Sequence, residues 1–170
     1  MPQIDLLTVN SWPIWIACLL LAIGAHDYHK RNGRVPNALT FPGILLAFLA
    51  GLFLAAGWDF KTGGDLGSCA GCAFIGFCMM LAAYVFGGLG AGSVKLQTAF
   101  GAWIGIALPW EKAWGLTVVA TVSGIIAILI GSLAVVIKAK AQKRTIPLIF
   151  PAQIAISIGS ILAVAVCAVF

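Results

Sequence analysis

Charged side chains are scarce in this sequence. Of its 170 residues, only 9% are charged and 62% are hydrophobic, and the mean hydropathy is +1.08. A soluble domain of this length must present more polar surface to water, so the composition excludes a soluble globular protein. It predicts instead a protein that lies in a lipid bilayer.

The sequence also lacks the features of a removed signal peptide. No basic segment precedes the first apolar stretch, which begins at Trp12, and no small-residue cleavage site follows that stretch. We therefore expect the N-terminus to be retained. Internal repeats and low-complexity tracts do not stand out either, and residues 1–170 are predicted to form a single membrane-embedded domain.

Metal ligands are few and poorly grouped. The five cysteines all lie in apolar runs, and Cys69 and Cys72 form a C-x-x-C without a second pair or a histidine in the same segment. A zinc site needs such additional ligands. We predict that the cysteines pack as small hydrophobic side chains, and that the protein uses no metal and no cofactor.

Long apolar runs are what the sequence has in abundance. Six of them approach the length that crosses a bilayer, at approximately 12–27, 39–57, 66–87, 94–109, 113–137 and 148–170. The fourth is short, which predicts a tilted or half-inserted helix that faces protein rather than lipid. The expected fold is all-α, a bundle of six transmembrane helices.

The basic residues predict the orientation of this bundle. The first, third and fifth loops carry eight of the ten, and short loops rich in lysine and arginine face the cytoplasm. Both termini are therefore expected on the outer side. Because the basic residues are confined to short loops, nucleic-acid binding is not expected, despite the net charge of +5. The eight residues are Lys30, Arg31, Arg34, Lys95, Lys138, Lys140, Lys143 and Arg144.

One acidic residue lies at the cytoplasmic end of the first run. Asp27 is flanked by His26 and His29, and an ionisable group near the membrane is costly unless it is paired or functional. A structural ion pair with Lys30 or Arg31 is one interpretation, and a catalytic carboxylate is the other. The two histidines allow either a tuning role or a simple interfacial one.

A glycine-rich segment, 87-GGLGAGSVKLQTAFGAWIG-105, leads into the fourth run. Glycine allows close backbone approach and left-handed conformations, so a side chain that follows can be held rigidly at the start of a helix. Such turns are common and do not define a site alone. The spacing of Gly101 and Gly105 also predicts close helix packing.

Together the two segments resemble the prepilin peptidase family, the GxGD-type intramembrane aspartyl proteases of pilus and type II secretion systems. The family's aspartate, basic residue and I/V-P-N-x-L-T are matched by Asp27, Arg34, Val35, Pro36, Asn37, Leu39 and Thr40. Its G-x-G-A-G-D-V-K-L is matched by Gly88, Gly90, Ala91, Gly92, Val94, Lys95 and Leu96. A late segment, 146-IPLIFPAQIAISIG-159, extends the likeness across most of the chain.

The resemblance implies an aspartyl endopeptidase of the bacterial inner membrane, with its active site facing the cytoplasm. Its partners would be the lipid bilayer and a prepilin, cut where the basic leader meets the hydrophobic stem. Asp27 would supply one carboxylate, with Arg34, Pro36, Asn37, Gly90, Gly92 and Lys95 supporting the site. The chain lacks a cysteine-rich cytosolic insertion, which implies peptidase activity without methyltransferase activity, as in the compact tight-adherence pilus type.

One departure from the family pattern concerns the chemistry itself. Ser93 stands where the family has its second aspartate. A serine hydroxyl does not titrate near neutral pH and cannot exchange the proton that a two-carboxylate mechanism requires. We therefore predict that the chain is inactive or strongly impaired.

Several interpretations of position 93 stay open. Ser93 is either an introduced inactivating substitution, which the intact motif around it favours, or a natural loss of the pair. Ser93 as nucleophile with Lys95 as base is disfavoured, because residues two apart on a helix point in different directions. A non-catalytic scaffold that binds pilin-like helices is the alternative function, and a small transporter is a more distant one.

Overall fold

The computed structural model describes residues 12–32, 35–58, 62–87 and 90–141, and the regular structure there is helical. The five helices, in chain order, are α1 (Trp12–Asn32), α2 (Asn37–Ala55), α3 (Leu66–Gly87), α4 (Ala91–Ala107) and α5 (Trp110–Ala141). The all-α prediction is confirmed for these residues. The predicted sixth run, 148–170, lies outside them, so the count of six spans and the side of the termini stay predictions.

Three of these helices are long and apolar enough to cross a membrane. They are α2, α3 and the Trp110–Ile130 portion of α5, with mean hydropathies of 2.2, 2.1 and 2.2. Much of their surface is apolar and exposed, including Leu45, Phe74 and Leu129. Such a surface is stable against lipid tails and not against water, so the protein is a multi-pass membrane protein.

Helix α4 forms the centre of the bundle. It has 17 residues, contacts each of the other four helices, and is mostly buried. A helix this short does not span the hydrocarbon core by itself, and here protein covers it instead of lipid. The prediction that the fourth run faces protein is confirmed.

The tightest packing in the bundle joins α3 and α4, and small residues make it possible. A Cβ at Gly101 would collide with the carbonyl oxygen of Cys72, and a Cβ at Gly105 with that of Ser68. From the other side, a Cβ at Gly76 would lie 3.0 Å from the carbonyl oxygen of Gln97. Close approach without side chains is the usual role of glycine between membrane helices, as the spacing of Gly101 and Gly105 predicted.

Four helices extend beyond the apolar runs that predicted them. α1 continues past 27 to Asn32, α2 begins at Asn37 rather than 39, α4 begins at Ala91 rather than 94, and α5 covers Trp110–Ala141 rather than 113–137. The predicted limits followed hydrophobicity, which changes at the membrane boundary. Backbone hydrogen bonding does not stop there, because charged residues such as Lys and Arg are good helix formers.

Candidate active site

Asp27 lies in the last two turns of α1, at the edge of the bundle. Its carboxylate forms two contacts with Arg31, one turn later: Arg31 Nη2 lies 3.0 Å from Oδ2, and Arg31 Nε donates to Oδ1 at 3.2 Å. The side chain of Asp27 is 55% exposed. Arg31 is one of the two predicted partners, and the side chain of the other, Lys30, lies outside what the structure describes.

The two histidines beside Asp27 differ in environment. His26 is exposed, whereas His29 is partly buried and its Nδ1 has no hydrogen-bond partner among the described residues. Loss of solvent and the neighbouring His26 lower the pKa of His29. His29 is therefore mainly neutral at pH 7 and does not itself add a positive charge beside Asp27.

Ser93 has the opposite environment from Asp27. It is the third residue of α4, its exposure is 0%, and its backbone N–H donates to the carbonyl of Gly90 at 2.9 Å. Its Oγ has no hydrogen-bond partner among the described residues. A buried hydroxyl without a partner is unfavourable. A hydrogen-bond partner for Ser93 Oγ must therefore come from outside α4.

A long-range hydrogen bond connects the two sequence segments. Lys95 Nζ donates to Asn37 Oδ1 at 2.7 Å and lies 5.1 Å from the centre of the Phe41 ring. This joins the start of α4 to the start of α2, 58 residues apart in sequence. It also directs the ammonium group of Lys95 to α2, which further disfavours Lys95 as a base for Ser93.

Backbone contacts bring the same segments together. A Cβ at Gly92 would lie 3.0 Å from Cβ of Val35, so this glycine lets the start of α4 approach the residues before α2. Gly24, three residues before Asp27 on α1, lies against Leu39 in the same way, at 3.3 Å. Residues three apart share a helix face, so Asp27 lies on the side of α1 that meets α2.

A shared core cluster places both candidate positions at one end of the bundle. Ala25 of α1, Val35 before α2 and Val94 of α4 all belong to it. Asp27 follows Ala25 by two residues, and Ser93 directly precedes Val94. The other described carboxylates are Asp65, directly before α3, and Glu111, in the first turn of α5; both helices start at the opposite end, beside the end of α4.

The sequence profile of the type IV leader peptidase family matches residues 14–168. The chain belongs to the type IV leader peptidase family. Comparison with curated proteins and with solved structures gave no match. The match covers nearly the whole chain, so the leader peptidase likeness is a property of the entire bundle and not of two short motifs.

Within this leader peptidase bundle, the supporting residues predicted from sequence have different roles. Pro36 is the N-cap residue of α2, and Asn37 and Lys95 form the link described above. Gly92 lies in close contact with Val35, whereas Gly90 has an extended backbone (φ −73°, ψ 144°), and a Cβ there would meet no described atom within 4 Å. Arg34 and the late segment 146–159 lie outside the described residues.

One polar residue of the leader peptidase core was not predicted from the sequence. Gln97 is fully buried one turn after Ser93, and its Nε2 donates to Thr121 Oγ1 on α5 at 2.8 Å. Its Oε1 has no hydrogen-bond partner among the described residues. The sequence signal that could have found Gln97 is its place in the fourth apolar run, because polar groups within a membrane are costly to bury and tend to be functional.

Proposed function

We propose that this chain has the scaffold of a membrane aspartyl endopeptidase that removes leader peptides from type IV or tight-adherence pilin precursors. Asp27 is one member of the catalytic pair, and position 93 is the place of the other. The site faces the cytoplasm of a bacterium whose inner membrane holds the bundle. Because Ser93 lacks a carboxylate, this chain itself is inactive or nearly so.

The observation that carries the proposal is the joining of the two motifs. The hydrogen bond from Lys95 to Asn37 and the close contact of Gly92 with Val35 hold the start of α4 beside the start of α2. The contact of Gly24 with Leu39 adds the end of α1, where Asp27 lies. Only four residues separate α1 from α2, so chain order keeps those two segments close. Chain order does not require the start of α4 to join them, whereas a shared site does.

With an aspartate at position 93, the chemistry follows from two carboxyl groups that share one proton. The ionised carboxylate takes a proton from a water molecule, whose oxygen attacks the carbonyl carbon of the scissile bond. The protonated carboxyl gives its proton to the carbonyl oxygen. When the tetrahedral intermediate breaks down, the C–N bond breaks and the amine leaves with a proton returned by the pair.

The buried environment of position 93 suits the protonated member of such a pair, because burial disfavours a charged carboxylate. Asp27, which is half exposed and contacts Arg31, suits the ionised member. The carboxylate must leave Arg31 to act on a water molecule inside the bundle. Substrate binding at this edge of the bundle would supply the energy for that exchange.

A direct test restores the missing group. The Ser93→Asp variant and the unchanged chain are reconstituted in liposomes with a prepilin, and leader removal is followed by gel shift and mass spectrometry. We expect cleavage by the Ser93→Asp variant alone, and its loss when Asp27→Asn is added. Full activity of the Ser93→Asp, Asp27→Asn double variant would show that the assigned pair is wrong.

The second candidate is a non-catalytic membrane protein that binds pilin-like helices. The serine at position 93 favours it, since the chain keeps the family's bundle without the second acid. It predicts that neither form cleaves the prepilin, while both retain it in a pull-down from detergent. Arg31→Gln leaves such binding unchanged, whereas the peptidase proposal expects this substitution to alter cleavage by the Ser93→Asp form.

A further inference from the structure

Two polar atoms without described partners lie one turn apart on the buried face of α4. They are Ser93 Oγ and Gln97 Oε1, and both residues are 0% exposed. Residues four apart lie one above the other on a helix, and a helical side chain leans toward the preceding turn. The side chain of Gln97 therefore extends toward the turn that carries Ser93.

The hydrogen bonds of α5 fix which end of the Gln97 amide bonds to Thr121 and which end is left without a partner. Thr121 Oγ1 donates its only proton to the carbonyl oxygen of Thr117, at 2.7 Å. The group of Gln97 that lies 2.8 Å from Thr121 Oγ1 must therefore be the donor, the NH2 group. The amide oxygen is left as a free acceptor within the core.

A free acceptor in this position destabilises the fold. A buried carbonyl without a partner loses its hydrogen bonds to water and gains none in return, and the same applies to the hydroxyl of Ser93. One is an acceptor that lacks a donor, and the other carries a donor that lacks an acceptor. Their chemistry is complementary, so one hydrogen-bonded connection would satisfy both.

We propose that Gln97 is a positioning residue for the side chain at position 93, and that its Oε1 accepts the hydrogen bond of the donor there. In this chain one bound water molecule connects the short Ser93 hydroxyl to Gln97. An aspartate has its oxygens one bond further from Cβ, so before substrate binds its protonated carboxyl would replace that water and donate directly to Gln97. The same proton then passes to the carbonyl oxygen of the scissile bond once substrate is in place. Thr121 holds the amide in the required orientation.

The serine form is tested by a double-mutant cycle on thermal unfolding in detergent, which requires no peptidase activity. Ser93→Ala and Gln97→Leu each leave the other polar group alone, while the double variant removes both. If the two groups are connected, the unfolding midpoint of the double variant lies about 3 °C or more above the value expected from adding the shifts of the two single variants. Additive midpoints overturn the proposal.

Two further variants keep this result interpretable. Thr98→Val removes a hydroxyl on the same helix whose proton goes to the carbonyl of Val94, so Ser93→Ala combined with Thr98→Val must be additive. Gln97→Met replaces Gln97→Leu if the branched side chain does not fit. A structure that resolves bound water would show a peak within hydrogen-bond distance of both atoms, and an empty core there would contradict the water bridge.

The catalytic half of the inference rests on the proposed function and is tested in the Ser93→Asp form. There, Gln97→Leu should lower kcat about tenfold with KM changed less than twofold, because the residue orients the acid and does not bind substrate. An unchanged kcat overturns this half. If Ser93→Asp does not cleave prepilin at all, the proposed function fails, while the unfolding cycle still decides whether Gln97 and position 93 are connected.

Discussion

At the scale of single residues, the hydrogen bond from Lys95 to Asn37 links two helix starts that are far apart in sequence. Lys95→Met removes the donor but keeps most of the side-chain length. We expect the free energy of unfolding to fall by about 1 kcal/mol, because the bond lies near the surface. This corresponds to about 3 °C in the unfolding midpoint. Lys112→Met, at an exposed lysine of the opposite end, is the matched control and should leave the midpoint unchanged.

Combining Lys95→Met with a substitution at Asn37 tests whether the hydrogen bond between them stabilises the fold. If Lys95 and Asn37 interact as described, the double variant Lys95→Met, Asn37→Leu will lose less stability than the sum of the losses of the two single variants. Additive losses would mean that the bond contributes nothing to stability.

A second residue-scale prediction concerns the start of α3. Asp65 Oδ1 accepts a hydrogen bond from the backbone N–H of Ser68 at 2.6 Å, and this bond lowers the pKa of the Asp65 carboxyl. A carboxyl with a lowered folded-state pKa stabilises the fold above its ordinary value, near 4. That stability is lost as the pH falls through the folded-state pKa.

We therefore expect Asp65→Ala to lose about 1 kcal/mol of stability at neutral pH, the usual size of a lost N-cap. The deficit should shrink as the pH is lowered from 5 toward 3, as followed by thermal unfolding at each pH. Asp65→Asn is the control, because an amide oxygen still caps the helix without titrating. A deficit for Asp65→Ala that stays constant over this range would contradict the capping role.

The chemistry of the site was more predictable from sequence than its environment. The motifs predict a site at Asp27 and position 93, and the neighbouring residues Ala25 and Val94 belong to one core cluster. Burial was not predictable, because it depends on which helices surround a position. The ion pair of Asp27 with Arg31 follows from its i,i+4 spacing, but its half-exposed position does not. The connection of Gln97 to Thr121 does not follow from sequence spacing.

At the scale of helices, the contact between α3 and α4 depends on the absence of side chains at Gly101 and Gly105. Gly101→Ala should lose about 1–3 kcal/mol, because the new methyl group meets a backbone carbonyl that cannot move aside. Gly115→Ala on α5 is the matched control, since a Cβ there meets no described atom within 4 Å. We expect that substitution to be neutral or stabilising, as alanine favours helix.

Both variants are compared by thermal unfolding in the same detergent. Similar midpoints for Gly101→Ala and Gly115→Ala would show that α3 and α4 are not packed as closely as described. The spacing of Gly101 and Gly105 predicted a close contact but not its partner. Only the fold reveals that Cys72 and Ser68 of α3 lie opposite them, because any apolar helix was an acceptable neighbour.

At the scale of the whole molecule, the orientation of the bundle depends on charge. The turn before α4 and the turn before α5 lie at opposite ends of α4, and the basic residues predict that the first faces the cytoplasm. The proposed function requires this orientation, because the basic leader of a prepilin stays in the cytoplasm. A bundle inserted the other way would place Asp27 and position 93 on the wrong side.

Cysteine labelling tests this orientation in a variant whose five native cysteines are replaced by alanine. Gly90→Cys and Lys112→Cys are suitable probes: a Cβ at Gly90 meets no described atom within 4 Å, and Lys112 is exposed. With a membrane-impermeant maleimide on spheroplasts, we expect Lys112→Cys to be labelled and Gly90→Cys to be labelled only after lysis. The reverse pattern would contradict both the topology and the site, because the charge that orients a bundle acts on all its short loops together.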